Sequence, residues 1–276
     1  MPVAETTPAV HAAVVVDRRE PAPGIVVLGL HAPQLAACVR PGQFVMAVPA
    51  GGERAAVALG VYEAADQRIS LMLVVVGPRT TEIAAQRVGD EVELLGPLGV
   101  GFDLDALGDD VAIVAGGVGL ASLLLVAEGL AREGRRMRLY YGARTARALV
   151  DYDLFAAHGA ALSLATDDGT HGHRGFVTDL LARDAASHSG IAACGPTPML
   201  HGVARVAREH GVRAQLSIEE TFACGVGACW GCVVGLDRAS AQAPRFPTPP
   251  AGERRDYVHA RICREGPVFW AHELRW

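Results

Sequence analysis

The fold of this chain is decided by the stretch Val111-Ala-Ile-Val-Ala-Gly-Gly-Val-Gly119, an apolar run that ends in glycines. Such a run is typical of a buried strand that turns at once into a helix. Glycine at this turn lets a dinucleotide pyrophosphate approach the backbone at the positive end of the helix. Gly116, Gly117 and Gly119 are therefore candidate nucleotide-binding residues. Because the pattern is not a complete G-x-G-x-x-G, a tight turn without a ligand is the alternative.

The segments after this turn alternate between short apolar runs and helical patterns. The predicted strands are 137–141, 161–166, 190–194 and 214–218, and the predicted helices are 120–130, 146–157, 176–183 and 198–210. This alternation indicates βαβ units, so a nucleotide-binding α/β domain with a parallel sheet is predicted over residues 104–216. Cys194, Gly195 and Pro196 follow a strand, at the end where ligands of open parallel sheets bind. Packing of Cys194 as a small buried side chain is the alternative.

The segments before the turn are short β-type runs separated by glycine and proline. The predicted strands are 13–16, 25–30, 44–48, 56–61, 69–76 and 91–95, with one helix over 80–87. Short strands at this spacing favour an antiparallel barrel or sandwich. We therefore expect a multidomain β plus α/β fold that begins with an antiparallel β-barrel over residues 1–103.

Four cysteines near the C-terminus, Cys224, Cys229, Cys232 and Cys263, have the spacing C-x4-C-x2-C followed by one distant cysteine. Plant-type [2Fe–2S] clusters are held by thiolates at this spacing. The pattern predicts a small cluster module over residues 217–276 and a chain that transfers electrons. Structural zinc is the alternative, although zinc modules usually have two short C-x2-C pairs. Disulfides are less expected in a chain without an apolar signal segment, which we expect to be cytoplasmic.

Composition narrows the classes of protein further. The chain has 276 residues, which fits two domains and a small module, and half of its residues are hydrophobic. The net charge of −5 argues against general binding of nucleic acid, which usually needs a basic surface. No apolar run approaches the ~18 residues of a membrane span, so no membrane association is expected.

Taken together, the motifs resemble a known family. The glycine turn, the Cys194-Gly195-Pro196 loop and the cysteine module occur in one order, and further segments match: Leu95-Gly-Pro-Leu-Gly-Val-Gly-Phe102, Ser217-Ile-Glu-Glu220 and Cys263-Arg-Glu-Gly-Pro-Val-Phe269. From about residue 12 the chain is similar to the electron-transfer subunit of NAD-linked dihydroorotate dehydrogenases, within the ferredoxin–NADP reductase superfamily. The resemblance implies FAD, a [2Fe–2S] cluster, NAD(P)H as substrate and a flavin-containing dehydrogenase subunit as partner. It also implies electron flow from NAD(P)H through FAD and the cluster to the partner's flavin.

The resemblance places the FAD contacts at Arg54, Val57, Ala58, Leu73, Val75, Thr80 and Thr81. The family's Arg-Pro-x-Ser motif aligns with Ala55-Ala56-Val57-Ala58, so a guanidinium and a hydroxyl that would contact the flavin are missing. Arg54, one residue earlier, or Arg79 could replace the guanidinium. The alternative function is that of a relative without FAD, which serves as a cluster-bearing relay or docking subunit of another oxidoreductase complex.

Overall fold

The structure is a computed structural model that describes residues 7–52, 56–237, 239 and 256–276. Its N-terminal part is a closed antiparallel barrel with the strand order β1-β2-β5-β4-β3-β6, which confirms the predicted barrel. The strands are β1 (Ala9–Ala22), β2 (Ile25–His31), β3 (Phe44–Pro49), β4 (Val57–Ala65), β5 (Arg68–Val74) and β6 (Glu91–Leu98). Inward-facing aliphatic side chains fill the barrel, so the apolar runs of the sequence form its core.

Two short helices accompany the barrel. The first, α1 (Pro33–Ala36), was not predicted, because four residues are too few for a helical pattern. The second, α2 (Pro78–Ala84), begins two residues before the predicted 80–87. Pro78 stands at its first turn, where a fixed φ favours the helix and a missing N–H has no consequence.

The middle of the chain forms the predicted parallel sheet, with the order β10-β9-β8-β7-β11-β12, in which only the two-residue strand β10 was not predicted. These strands are β7 (Asp110–Gly116), β8 (Arg136–Ala143), β9 (Ala161–Thr166), β10 (His173–Arg174), β11 (Gly190–Cys194) and β12 (Arg213–Ser217). The chain runs from β7 outward to β10 and then returns to β11 on the other side of β7. The neighbours β7 and β11 therefore form the point at which the strand order reverses, where open α/β sheets bind ligands.

Four helices cover the two faces of this sheet: α3 (Leu124–Arg132), α4 (Tyr152–Ala157), α5 (Val177–Asp184) and α6 (Thr197–His210). Two predicted helices differ in detail. A 3₁₀ helix over Gly117–Leu123 precedes α3, so the chain leaves the glycine turn in a tighter helix than expected. The predicted helix 146–157 is interrupted because Asp151 has a φ of +53°, and α4 begins only after it.

The C-terminal segment contributes to two sheets. The strands β13 (Val233–Asp237) and β14 (Tyr257–Arg261) pair with each other, and β16 (Leu274–Arg275) pairs with β13. Between them in sequence, β15 (Val268–Trp270) pairs antiparallel with β12 and so extends the parallel sheet to seven strands. The predicted module therefore shares a sheet with the preceding α/β part. The boundaries after residues 103 and 216 stay predictions.

One carboxylate joins the barrel to the α/β part. Both terminal guanidinium nitrogens of Arg19 donate to Asp151, at 2.9 and 2.6 Å, and the Tyr62 hydroxyl donates to the same carboxylate at 2.9 Å. Tyr62 is fully buried, and this burial, followed by the nearby charge of Asp151, raises its pKa. The three hydrogen bonds fix the start of α4 against β1 and β4.

A second polar network lies at the amino end of the parallel sheet. The Asp110 carboxylate accepts hydrogen bonds from His188 Nδ1 at 2.7 Å and Arg136 Nε at 2.9 Å. On its other side, His188 Nε2 lies 2.9 Å from the buried Tyr140 hydroxyl. Burial alone would raise the pKa of Asp110, but the hydrogen bonds from Arg136 and His188 outweigh it and lower that pKa.

Candidate functional site

The two loops predicted to bind nucleotide lie against each other at the strand-order reversal. Ala115 near the end of β7 pairs with Cys194 at the end of β11. A Cβ atom on Gly119 would lie 2.5 Å from the Cys194 carbonyl oxygen, and one on Gly116 would lie 2.7 Å from the sulfur of Met199. The structure therefore brings the residues of both loops together. Only glycine permits so close an approach of the two backbones.

Backbone conformation gives a second reason for glycine in these loops. Gly117 has a φ of +53° and Gly195 a φ of +157°, values that side-chain-bearing residues rarely adopt. Pro196 then directly precedes the first residue of α6. The crevice outside the two strands is bordered by glycine backbone and by the amino end of a 14-residue helix, a suitable environment for an anionic dinucleotide.

A cleft of about 270 Å³ separates the barrel from the sheet. Its walls come from β4, β5, the 3₁₀ helix after β7 and the segment that follows β12. Four of the predicted flavin contacts line it, namely Val57, Ala58, Leu73 and Thr80. The cleft is mostly apolar, which suits a flat ring system better than a charged group.

A shallow groove continues from this cleft toward the start of α2. Ala56, Arg79 and Glu220 line the groove, and Arg79 Nη1 lies 3.4 Å from the Ala56 carbonyl oxygen. Among the described residues that line the groove, Arg79 is the only basic one. Thr80 also faces the groove, but its hydroxyl already accepts hydrogen bonds from the amides of residues 76 and 77, at 2.9 and 3.0 Å.

The other predicted flavin contacts have different positions. Val75 and Thr81 lie outside the lining of cleft and groove. The Val75 amide donates to the Gly24 carbonyl, and the Thr81 hydroxyl donates to the Gly77 carbonyl at 3.0 Å. Arg54 lies outside the described residues. The direct roles of these three residues stay predictions.

Cys194 forms a polar cluster where the nucleotide loops meet the cleft. Its thiol is fully buried and lies 3.7 Å from Glu219 Oε1, and the hydroxyls of Ser122 and Ser217 contact it. Burial, followed by the Glu219 charge, raises the pKa of Cys194, so the thiol is held protonated. Glu219 borders the open cleft, yet the protein atoms around its carboxyl desolvate it and raise its pKa.

Ser122 places a hydroxyl in the same cleft as Ala58, the position at which the aligned motif has lost its hydroxyl. Ala58 presents only a methyl group to the cleft, whereas Ser122 lines the opposite wall. A Cβ atom on Gly60 of β4 would lie 2.9 Å from Ser122 Oγ, so the glycine makes room for this side chain. The sequence analysis assigned no site role to Ser122 or Glu219. The segment Ser217-Ile-Glu-Glu220 was the available signal for Glu219, and Ser122 had none.

The four cysteines form two thiol pairs. Cys224 and Cys229 contact through their side chains, and Cys263 contacts Cys232, whose sulfur lies 3.5 Å from the Cys263 amide. Burial alone would raise the pKa of Cys224, but backbone N–H groups of residues 226, 228 and 229 point at its sulfur and lower it to about 6. For Cys263, burial and then the adjacent Cys232 raise the pKa to about 12.

Arg261 contacts the cysteine loop through a hydrogen bond and through an aromatic ring. Its Nη1 donates to the Gly227 carbonyl at 2.8 Å, and its guanidinium lies 4.7 Å from the Trp230 ring. Glu265 fixes the arginine through an ion pair. Gly225, Gly227 and Trp230 all have positive φ, so the loop is held in an unusual backbone conformation. Within residues 7–52, 56–237, 239 and 256–276, no three His, Cys, Asp or Glu side chains form a group able to hold a single metal ion.

Comparison with known proteins relates these features to one family. The chain is 33% identical over 237 residues to the dihydroorotate dehydrogenase B (NAD(+)) electron transfer subunit of Clostridium acetobutylicum, covering 86% of each chain. It is 32% identical over 262 residues to the same subunit of Desulforamulus reducens, covering 92% of this chain and 94% of the relative. The chain belongs to this family of electron transfer subunits. No family model matches it.

Solved structures agree with the family in fold. An NADH-dependent reduced ferredoxin–NADP oxidoreductase, studied for flavin-based electron bifurcation, superimposes with a TM-score of 0.80 at 27% identity, covering 96% of this chain and 90% of that one. The ferredoxin reductase of carbazole 1,9a-dioxygenase has a TM-score of 0.66 at 22% identity and covers 75% of this chain and 68% of its own. Among the described helices, none has the length and apolar character needed to cross a bilayer.

Proposed function

We propose that this chain is a cytoplasmic electron-transfer subunit that passes reducing equivalents from NAD(P)H through FAD and a [2Fe–2S] cluster to a flavin-containing dehydrogenase. One observation carries the proposal: a single segment after β12 connects the three candidate sites. Glu219 contacts Cys194 of the nucleotide loops, Phe222 lines the cleft, and Cys224 begins the cysteine loop two residues later. The names of the relatives indicate dihydroorotate dehydrogenase as the partner.

The residues of the cleft fit a bound FAD. The apolar walls at Val57 and Leu73 suit the flavin ring, and Arg79 in the adjoining groove suits its pyrophosphate. When bound, FAD supplies the conversion between two-electron hydride transfer and one-electron transfer. The chain's own contribution is to orient the nicotinamide beside Cys194 and to present the Ser122 hydroxyl and the Glu219 carboxyl at the edge of the cleft.

The cysteine loop fits a two-iron cluster. Two thiol pairs provide two ligands for each iron, and the backbone N–H groups near Cys224 stabilise negative charge on its sulfur. The exposed side of the loop includes Cys229 and Trp230, the latter 42% exposed. A centre at this position is close enough to the surface for transfer to a partner protein.

Purified protein tests this proposal directly. Anaerobic preparations should contain about two irons and one FAD per chain, and NADH should bleach both the flavin and the cluster absorbance. Cys38 lies outside the cysteine loop, so the variant Cys38→Ser should keep both chromophores and is the matched control for replacement of a cluster cysteine. If NADH bleaches neither chromophore in protein that contains both, the proposal is wrong.

A second candidate function is a cluster-bearing relay or docking subunit without FAD. The methyl side chains of Ala56 and Ala58, together with the acidic Glu220 in the groove, favour it, because they provide few contacts for a pyrophosphate. In that case the folded protein contains iron and sulfide but no extractable FAD. Dithionite would then reduce the cluster, whereas NADH would not.

A further inference from the structure

A larger cavity, of about 580 Å³, lies away from the site described above. It is formed by the C-terminal half of α6, the start of β12 and the last six residues of the chain. Cavities of this size are typical of small-molecule sites. Since α6 has 14 residues and is about 21 Å long, this cavity and the nucleotide loops lie at opposite ends of one helix. The two sites are therefore distinct.

The cavity is basic although the chain as a whole has a net charge of −5. Three arginines and two histidines line it, and its described lining contains no carboxylate side chain: Arg205, Arg208, Arg213, His201 and His272. Arg205 and Arg208 are exposed, and neither forms an ion pair with a described residue. Uncompensated guanidinium groups around a concave surface favour an anion, and the planar guanidinium matches phosphate oxygens in a bidentate manner.

Aromatic rings give the cavity a second recognition element. The His201 and Trp276 rings lie 4.2 Å apart, and Trp276 is 48% exposed, which leaves ring surface available for stacking. Arg213 lies 5.1 Å from the Trp270 ring, and its Nη2 donates to the Ala106 carbonyl at 2.6 Å. These two contacts orient the Arg213 guanidinium before any ligand arrives.

We propose that this cavity binds a nucleoside polyphosphate, with the phosphates on Arg205 and Arg208 and the base against the Trp276 ring. Arg208 also stands in the last turn of α6, where a cation stabilises the helix end. That role does not account for Arg205, one turn earlier, or for the rings beside it. The partial negative charge of the helix end opposes an anion, so binding depends on the arginine charges and weakens as salt screens them.

Calorimetric titration of the full chain with UTP and ATP tests the proposal. We expect saturable binding of both nucleotides, weaker binding of inorganic tripolyphosphate, and no binding of uridine at about 1 mM. The double variant Arg205→Gln/Arg208→Gln should weaken nucleotide binding at least about tenfold. Trp276→Ala should weaken it about fivefold while leaving tripolyphosphate binding unchanged.

Arg132→Gln is the matched control, because the exposed Arg132 also lies in the last turn of a helix, α3, which packs on the opposite face of the sheet from α6. It should bind nucleotide as the unaltered chain does. Equal affinity in the double variant and the unaltered chain would overturn the proposal, as would the absence of binding at about 1 mM UTP. The readout involves neither flavin nor cluster, so the result is independent of the proposed electron transfer.

Discussion

Replacement of Gly119 by alanine should disrupt the contact between the two nucleotide loops. The added Cβ would lie 2.5 Å from the Cys194 carbonyl oxygen and 2.7 Å from the Gly195 amide nitrogen. Both atoms belong to the backbone, so no flexible side chain can move aside. An ordinary contact begins near 3.4 Å, and the loops must therefore separate by about 0.9 Å.

We expect this overpacking to lower the free energy of unfolding by about 3 kcal/mol. Gly117→Ala in the same turn is the control for backbone strain alone. Its φ is +53° and nothing lies within 4 Å of the new Cβ, so the expected loss is only about 1 kcal/mol. A displacement of nearly 1 Å at the nicotinamide position should also slow reduction by NADH, by up to about a hundredfold.

Urea denaturation of the two variants measures the difference in stability, and stopped-flow reduction by NADH measures the functional effect. The expected order is a small loss for the Gly117 variant and a loss about 2 kcal/mol larger for the Gly119 variant. Equal stability of the two variants would refute the argument that backbone contact, rather than φ, requires glycine at position 119.

Three further changes test other parts of the structure. Cys232→Ala should abolish the cluster absorbance and lower the iron content, whereas Cys38→Ser should leave both unchanged. Asp151→Ala should lower the free energy of unfolding by about 2 kcal/mol, because it removes the acceptor of three hydrogen bonds, and the exposed Asp153→Ala should have little effect in the same urea titration. Asp110 has a lowered pKa in the folded protein, so its stabilisation is complete above its ordinary pKa of 3.8 and is lost as the pH falls below it. The melting temperature of Asp110→Asn should therefore fall less steeply than that of the unaltered chain below about pH 4.

Most strands of the barrel and sheet could be predicted because they contain short apolar runs between glycine or proline turns, whereas the polar β10 has no such pattern. Helix boundaries were less accurate, since a single residue such as Asp151, with its positive φ, ends a pattern that continues in sequence. The glycine turn and the Cys194 loop could be assigned to strand ends from sequence. Their contact depends on the order of β7 and β11 in the sheet, which only the structure provides.

The polar residues of the cleft were harder to find. Ser122 lies in a 3₁₀ helix and Glu219 in an irregular segment, and no spacing rule connects either of them with Cys194. Their significance comes from distance and desolvation, which are properties of the folded chain. The cysteines, by contrast, could be predicted as cluster ligands from sequence, because their spacing is itself a chemical requirement, and this assignment stays a prediction.

The edge position of β15 has a consequence for how this protein can be dissected. A fragment that ends after β12 would leave the backbone hydrogen-bonding groups of Gln215, Leu216 and Ser217 without their partner strand. Such a fragment would present an open sheet edge to other chains, so we expect the fragment to aggregate when it is expressed by itself. Exchange of the C-terminal module between relatives must accordingly carry over the strand that pairs with β12, and not only the four cysteines.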